Sequence, residues 1–459
     1  MPHSHVNADE VALFVSGRLR GPALRGFLGQ VLGCRACQET FRFYAPMLLA
    51  EEAPPEDEAQ PPAGYEAALD TALDRVEAGL GKHIAFWDEE KKGLARLRAK
   101  GQEQPFDGHY KPFKATARRV PGWARIEHLM ELSQELRYRD PEQMWLLARG
   151  AASAACNLGV LPIDEGRYTP AQKDDLRART QIELANALRL NHNLAHAEDC
   201  LEEAAALVKQ GHCDPQTEAR LMDIYASVLM DQRQLDEALV VLDNLHRHYL
   251  GYGETHLAGR ALIKKGIALS RSERHQEAAN LLPKALTMLD PVRDPTLKVN
   301  AHFELLHSLV DCGDFRKASR VLLESGLRQA FEHDPLNLLK LRWVEGKIFA
   351  GLKKLRRAEQ IFTEVKKEFL RRNREYLVAM LDLELVAVLL CQGRPDEVTP
   401  LAEEALDIFR DLEVSREALK AVRYLREACR RKAATAEMVQ QVVAFLNRLE
   451  QQPGLRFVP

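Results

Sequence analysis

The chain has 459 residues, of which 46% are hydrophobic and 29% are charged, so it can bury a large core and is not globally disordered. Its 64 Lys and Arg residues nearly balance its 67 Asp and Glu residues, and the net charge of −3 argues against a dedicated nucleic-acid-binding protein. No stretch approaches the ~18 uninterrupted apolar residues that a membrane span needs, and the N-terminus lacks the basic segment of a signal peptide. We therefore expect a cytoplasmic protein.

The first 50 residues predict a small module of three short helices. Helical periodicity begins near Ala8, again at Pro22 and again at Ala36. Residues 51–64 read EEAPPEDEAQPPAG, an acidic and proline-rich sequence that predicts a linker. Residues 65–122 combine a helix-permissive stretch up to Lys100 with an irregular stretch, and we interpret them as a helical connector.

Cys34 and Cys37 lie where the second and third of these helices meet, and a Cys-x2-Cys spacing can place both thiolates on one Zn²⁺. Together with His5 they resemble the small anti-sigma zinc-binding domain of bacteria, whose ligands follow the pattern His-x24-His-x3-Cys-x2-Cys. The resemblance implies zinc held by His5, Cys34 and Cys37. Gln30 stands where the pattern has its second His, and an amide oxygen is a poor zinc ligand. Two alternatives stay open: His3 completes the ligand set, or the helices pack without metal.

From about Trp123 onward the sequence has helical periodicity, and its strongest feature is an internal repeat. Over residues 176–413 one residue, usually small, returns at nearly constant intervals of 41, 40, 40, 40 and 40 positions. These returning residues are Ala185, Ala226, Gly266, Leu306, Gly346 and Val386. A second residue follows each of them 12 positions later: Ala197, Ala238, Ala278, Ala318, Ala358 and Val398. Small residues at both positions predict units of two closely packed helices.

This pattern resembles the tetratricopeptide repeat. The resemblance implies an all-α fold in which residues 123–459 form a right-handed α-solenoid. The period of 40 exceeds the ~34 residues typical of that repeat, so longer helices or turns absorb the difference. Asp-Pro pairs at 214–215, 294–295 and 334–335 predict helix starts, because Asp caps a helix N-terminus and Pro fits its first turn.

In tetratricopeptide arrays the first helix of each unit lines the concave face, so the resemblance also predicts a binding surface. The positions that face it lie six before, three before, one after and four after the returning residue. The predicted partner-binding residues at these positions are Arg179, Asn186, Arg220, Arg260, Asn300, Phe303, His307, Lys340, Trp343 and Lys347. A recurring cation beside aromatic residues suits an acidic peptide with hydrophobic anchors. The alternative is that the arginines form ion pairs with a neighbouring repeat.

The chain contains no motif of a familiar enzyme class, such as GxxxxGKS/T, HExxH or GxSxG. Residues 340–374 hold twelve basic and four acidic residues, a net charge of +8, but without the interleaved aromatic residues of a nucleic-acid interface. We therefore predict a non-enzymatic regulatory scaffold that binds a protein or peptide. Its N-terminal module would act on a sigma factor or a genetically linked effector. The alternative is a free-standing adaptor or peptide sensor with no sigma-factor link.

Overall fold

The computed structural model describes residues 6–15, positions 23, 26, 27, 30, 31, 37, 40 and 41, residues 84–100, residues 119–451 apart from 138, and residues 454–458. Within these ranges the regular structure is helical and contains no strand, which confirms the predicted all-α class. No helix in the same ranges is both long and apolar enough to cross a membrane. The predicted linker 51–64 and the connector residues 65–83 and 101–118 lie outside the described residues, so those domain boundaries stay predictions.

The chain forms two compact units, Met1–Ile224 and Tyr225–Pro459. The first unit contains α1 (Ala8–Val15), α2 (84–100), α3 (Gly122–Leu136), α4 (Pro141–Cys156), α5 (Pro170–Leu190) and α6 (Leu194–Gln210). The division between the units falls inside α7 (Pro215–Asp231). The second unit continues with α8 (Leu235–Gly251), α9 (Thr255–Arg271), α10 (His275–Met288), α11 (Pro295–Asp311), α12 (Phe315–Glu324), α13 (Leu327–Ala330), α14 (Pro335–Gly351), α15 (Leu355–Arg371), α16 (Glu375–Cys391), α17 (Val398–Asp411), α18 (Arg416–Arg430) and α19 (Ala436–Gln451).

The helix starts that the Asp-Pro pairs predict are confirmed, because α7, α11 and α14 each begin at the proline. In each case the preceding aspartate accepts a hydrogen bond from a backbone N–H of the first helical turn. The bonds join Thr217 N to Asp214 Oδ2 (3.0 Å), Leu297 N to Asp294 Oδ1 (2.9 Å) and Asn337 N to Asp334 Oδ1 (3.1 Å).

The turn between the two helices of a unit has the same geometry in every repeat. Its residue seven positions after the returning residue has a positive φ: His192 (60°), Arg233 (68°), Glu273 (61°), Gly313 (80°), Lys353 (60°) and Gly393 (74°). The next residue donates its N–H to the carbonyl oxygen five positions earlier, at 2.9–3.0 Å, as in Gln234 to Leu229 and Arg394 to Leu389. This is the hydrogen bond of a Schellman helix end. Glycine occupies two of these positions, Gly313 and Gly393, where the sequence itself indicates a turn. At the other four positions the residue type gives no such signal.

Close contact between the two helices of a unit depends on the returning residue. Gly346 in α14 lies against Phe362 in α15, and a Cβ atom added at Gly346 would lie 2.7 Å from Phe362 Cδ1. Gly266 in α9 packs in the same way on Leu282 in α10, where an added Cβ would lie 2.6 Å from Cδ2. Phe362 and Leu282 are fully buried, so neither ring nor branched side chain has free space to move into.

In the first unit, α2 is joined to α3 by a buried carboxylate. Glu90 is fully buried and accepts a hydrogen bond from Ala124 N at 3.1 Å and from Arg167 Nε at 2.9 Å. It also accepts the hydroxyl proton of Tyr168 at 2.5 Å, and that hydroxyl oxygen accepts from Trp123 N at 2.9 Å. Pro121, which precedes α3, supplies no side-chain cap, and Glu90 and Tyr168 instead accept from two N–H groups of the first turn.

We predict that Gly346→Ala lowers the free energy of unfolding by about 1–2 kcal/mol, because the clash with Phe362 outweighs the better helix propensity of alanine. Adding Phe362→Leu should recover part of this loss, because the pair then matches Ala226 and Leu242 of an earlier repeat. Urea denaturation of the two single variants and the double variant measures this coupling.

Gly150→Ala is the matched control for that experiment. Gly150 lies inside α4, and no atom lies within 4 Å of a Cβ added there. We expect this substitution to raise stability by up to about 1 kcal/mol. Equal effects of Gly346→Ala and Gly150→Ala would show that the helix contact at Gly346 does not limit stability.

Candidate partner-binding surface

Several of the predicted binding residues lie on α11 and α14, the first helices of two successive repeats in the second unit. We call Phe303 and His307 of α11, with Lys340, Trp343 and Lys347 of α14, the first-helix surface. The Phe303 and His307 rings meet at right angles with centroids 4.6 Å apart. Lys347 Nζ lies 5.6 Å from the centroid of the Trp343 ring, within the range of a cation–π interaction. The surface thus combines aromatic side chains with the ammonium groups of two lysines.

The two lysines of the first-helix surface have different environments. Lys347 is half-buried, and its Nζ lies 3.1 Å from Glu384 Oε1 of α16. Burial by itself would lower the pKa of Lys347, but Glu384 and Asp311 outweigh it and raise the pKa. Lys340 is exposed and forms no ion pair within the described part of the chain. Lys340 is therefore the exposed cation of this surface.

His307 is held in its neutral form. Burial lowers its pKa to about 4, and the positive charges of Lys347 and Lys340 act in the same direction, while Asp311 opposes them. A neutral imidazole can both donate and accept a hydrogen bond. The surface therefore combines an exposed ammonium group, two half-buried aromatic side chains and one neutral hydrogen-bonding ring.

The predicted residues of the first unit have partners within the protein. Arg179 of α5 donates to both carboxylate oxygens of Glu127 in α3, at 3.0 and 2.8 Å. Arg220 of α7 lies 3.4 Å from Glu183 of α5 and 3.4 Å from Asp223. Asn186 is fully buried. For these two arginines the structure shows the alternative that the sequence left open, an ion pair with a neighbouring repeat. Of the remaining predicted residues, Arg260 is half-buried and Asn300 is exposed.

Acidic residues of α16 were not among the predicted site residues. Glu384 pairs with Lys347, and the fully buried Asp382 lies 2.5 Å from Lys366 Nζ, which also contacts Glu404 at 2.8 Å. Burial raises the pKa of Asp382 to about 7, while Lys366 opposes this shift. The signal was present in the sequence: these two carboxylates interrupt an otherwise apolar run over residues 377–391. Charges in such a run indicate buried ion pairs.

In the N-terminal module, only one predicted zinc ligand lies within the described residues. Cys37 is fully buried among Val6, Val11, Phe27 and Val31, and its Sγ accepts a hydrogen bond from Val6 N at 3.5 Å. Gln30 is half-buried. His5 and Cys34 lie outside the described residues, and those that are described contain no group of three or more possible metal ligands. The zinc site stays a prediction.

Apart from the first-helix surface, a hollow lies beside α15, next to the turns that precede α15 and follow α16. It has a volume of about 930 Å³ and is lined by Lys353, Leu355, Arg356, Glu359, Gln360, Thr363, Glu364, Gln392 and Arg394. Glu359 pairs with Arg394 at 2.9 Å, while Lys353 and Arg356 form no ion pair within the described residues. This hollow is therefore a second candidate surface.

The chain matches no protein-family profile and no curated protein. Among solved structures it is similar to apo RapI, with a TM-score of 0.54 and 11% identity, over 71% of this chain and 87% of that one. It is also similar to a signal transduction ATPase with numerous domains, a protein with a tetratricopeptide repeat sensor from Pyrococcus horikoshii. That match has a TM-score of 0.52 and 14% identity, over 92% of this chain and 65% of that one. The fold is a tetratricopeptide-like helical solenoid. Identities this low show the fold alone.

We predict that His307 makes stability depend on pH. The unfolded imidazole takes up its proton near the usual pKa of 6.5, whereas the folded one does so only near 4. Between these values the unfolded state binds more protons, so the free energy of unfolding falls as the pH falls, by up to about 1.4 kcal/mol per pH unit. His307→Gln should reduce this slope in urea denaturation. His333→Gln, at an exposed position of the same unit, is the control, and equal slopes in both variants would contradict the prediction.

Proposed function

We propose that the protein is a cytoplasmic, non-enzymatic regulatory scaffold that binds an acidic partner segment with hydrophobic anchors. The binding site is the first-helix surface. The observation that carries this proposal is the exposed Lys340 one helical turn from the half-buried Trp343. Aromatic side chains supply most of the binding energy in such interfaces, and a neighbouring cation selects an acidic partner.

The comparison proteins support this proposal by analogy of fold. The Pyrococcus horikoshii protein carries a tetratricopeptide repeat described as a sensor. Repeat solenoids of this kind bind extended or helical segments along the surface formed by successive helices. A peptide sensor and a protein adaptor would both use this surface, so the proposal covers both. A third possibility, regulation of a sigma factor, involves the N-terminal module instead.

We predict that Lys340→Glu weakens the binding of peptides selected from a random library against the full chain. The expected loss at low salt is about tenfold or more, and it should shrink at high salt because screening reduces the charge contribution. Fluorescence anisotropy with a labelled peptide measures it. Lys367→Glu, at an exposed position of α15, is the matched control and should leave affinity unchanged.

The same binding experiment distinguishes the first-helix surface from the hollow on α15. Selected peptides should be acidic and should carry an aromatic or large aliphatic residue. If Lys340→Glu leaves binding unchanged while the double variant Lys353→Glu/Arg356→Glu abolishes it, the partner binds at the hollow on α15. The first-helix surface would then be wrong as the site.

The N-terminal module enters the proposal as an anti-sigma-type domain whose zinc is held by His5, Cys34 and Cys37. One contact supports this arrangement: Val6, which follows His5 in the chain, donates its N–H to Cys37 Sγ. Hydrogen bonds of this kind stabilise thiolate ligands of metals. The bound zinc would supply cross-links between the helices of the module. The alternative is metal-free packing, for which the buried aromatic core around Cys37 is also suited.

We predict that the purified full chain contains about one equivalent of zinc and that Cys34→Ser removes it. Cys213→Ser, at an exposed position far along the chain, is the control and should retain the metal. Elemental analysis decides between the two forms of the module. Absence of zinc from the wild-type chain would favour metal-free packing, and Gln30→His should then create zinc binding. Co-purification with sigma subunits of RNA polymerase tests the sigma-factor link.

A further inference from the structure

The last helix pair carries a cleft that is filled by the chain itself. Phe457 is 5% exposed, and its ring lies 5.0 Å from that of Phe445 in α19 and 5.7 Å from that of Tyr424 in α18. Glu417, Lys420 and Tyr424 follow each other on one side of α18 at spacings of three and four residues. These three side chains and Phe445 form what we call the terminal cleft.

The terminal cleft holds the main chain of Phe457 as well as its ring. Phe457 N donates to Glu417 Oε2 at 2.7 Å, and Lys420 Nζ donates to Phe457 O at 2.8 Å. Both backbone groups of one residue are thus satisfied by side chains of a single helix. Hydrogen bonds to the main chain can form with a segment of any sequence, whereas the aromatic pocket requires a suitable side chain.

Residues 455–458 alternate in burial as an extended segment does. Leu455 is half-buried and packs against the same core, and Phe457 is buried, whereas Arg456 and Val458 are exposed. A period of two places alternate side chains on one side of the segment. The segment that occupies the cleft thus has the pattern hydrophobic residue, any residue, aromatic residue, and its first and third side chains contact the protein.

Glu417 and Lys420 of the terminal cleft can pair with each other when the segment is absent. Glu417 and Lys420 also lie 3.9 Å from each other, so each has an ionic partner when the main chain leaves. Removal of the segment exposes an aromatic pocket flanked by one donor and one acceptor. Main-chain hydrogen bonds combined with pockets for alternate side chains are a general means of binding extended peptides.

We propose that the terminal cleft is a peptide-binding site for an extended partner segment with a hydrophobic–x–aromatic pattern. Residues 455–457 are its resident ligand, which such a segment displaces. The covalent link gives the resident segment a high effective concentration, so the cleft stays closed until a competing segment is abundant or binds elsewhere on the protein as well. This proposal does not depend on the function proposed for the first-helix surface.

The test uses the full chain with Phe457→Ala, which empties the pocket without removing the segment. The ligand is a labelled peptide with the sequence of residues 454–458, Gly-Leu-Arg-Phe-Val, amidated at its C-terminus. Anisotropy should show binding to the Phe457→Ala chain and at least about tenfold weaker binding to the wild-type chain, because the resident segment competes there. Val458→Ala, at a position that is 82% exposed, is the control and should behave as wild type.

Two further variants locate the binding on the terminal cleft. Adding Glu417→Gln and Lys420→Met to Phe457→Ala should weaken the peptide again, because the main-chain contacts are lost. The same peptide with alanine in place of phenylalanine should not bind. The proposal is overturned if the folded Phe457→Ala chain fails to bind the peptide, or if the phenylalanine and alanine peptides bind alike.

A measurement on the wild-type chain covers the case in which Phe457→Ala does not fold. The Phe457 amide is hydrogen-bonded to Glu417, so we expect its hydrogen exchange to be slow while the segment occupies the cleft. Excess peptide should accelerate this exchange because it displaces the resident segment, and the alanine peptide should not. Exchange that stays unchanged at millimolar peptide would show that the segment is a fixed part of the fold.

Discussion

The close contact between the two helices of each unit is the constraint on which the other features of the solenoid depend. Where the first helix has glycine, the second presents Leu282 or Phe362 in the space that the missing side chain leaves. Where the first helix has the larger Val386, the residue 16 positions later is Ala402, and both are fully buried. Interiors packed at this density do not tolerate rotation of one helix against the other. The contact therefore sets which side of each helix faces its partner.

The fixed rotation of the first helices has a direct consequence for the candidate site. Residues next to the returning residue cannot all be buried, so Phe303, Trp343 and Lys347 come to a half-buried surface. The turn between the two helices of a unit also has the same conformation in each repeat. Non-glycine residues such as Arg233 and Glu273 adopt a left-handed conformation that costs roughly 1–2 kcal/mol per residue. Packing of the two helices offsets that cost in each unit.

Buried and half-buried carboxylates join neighbouring helices and pair with some of their cations. Glu90 binds the start of α3 in the first unit, and Asp382 and Glu384 engage Lys366 and Lys347 in the second. A buried charge is tolerated only with a partner and hydrogen bonds, so each of these pairs selects one arrangement of helices. Lys347 is paired with Glu384, whereas Lys340 is exposed, so Lys340 is the exposed positive charge of the first-helix surface.

The repeat and its helix starts could be predicted from the sequence because they depend on local rules. Small residues at intervals of 40 and Asp-Pro pairs act within one helix or one helix pair, and the structure confirms helices at Pro215, Pro295 and Pro335. The tertiary structure alone decided which predicted cations are available. Arg179 and Arg220 meet carboxylates on neighbouring helices, whereas Lys340 pairs with none among the residues that the structure describes. The partners Glu127 and Glu183 lie 52 and 37 residues away in the chain. Ion pairs at such separations depend on how helices stack, and no local pattern encodes that stacking.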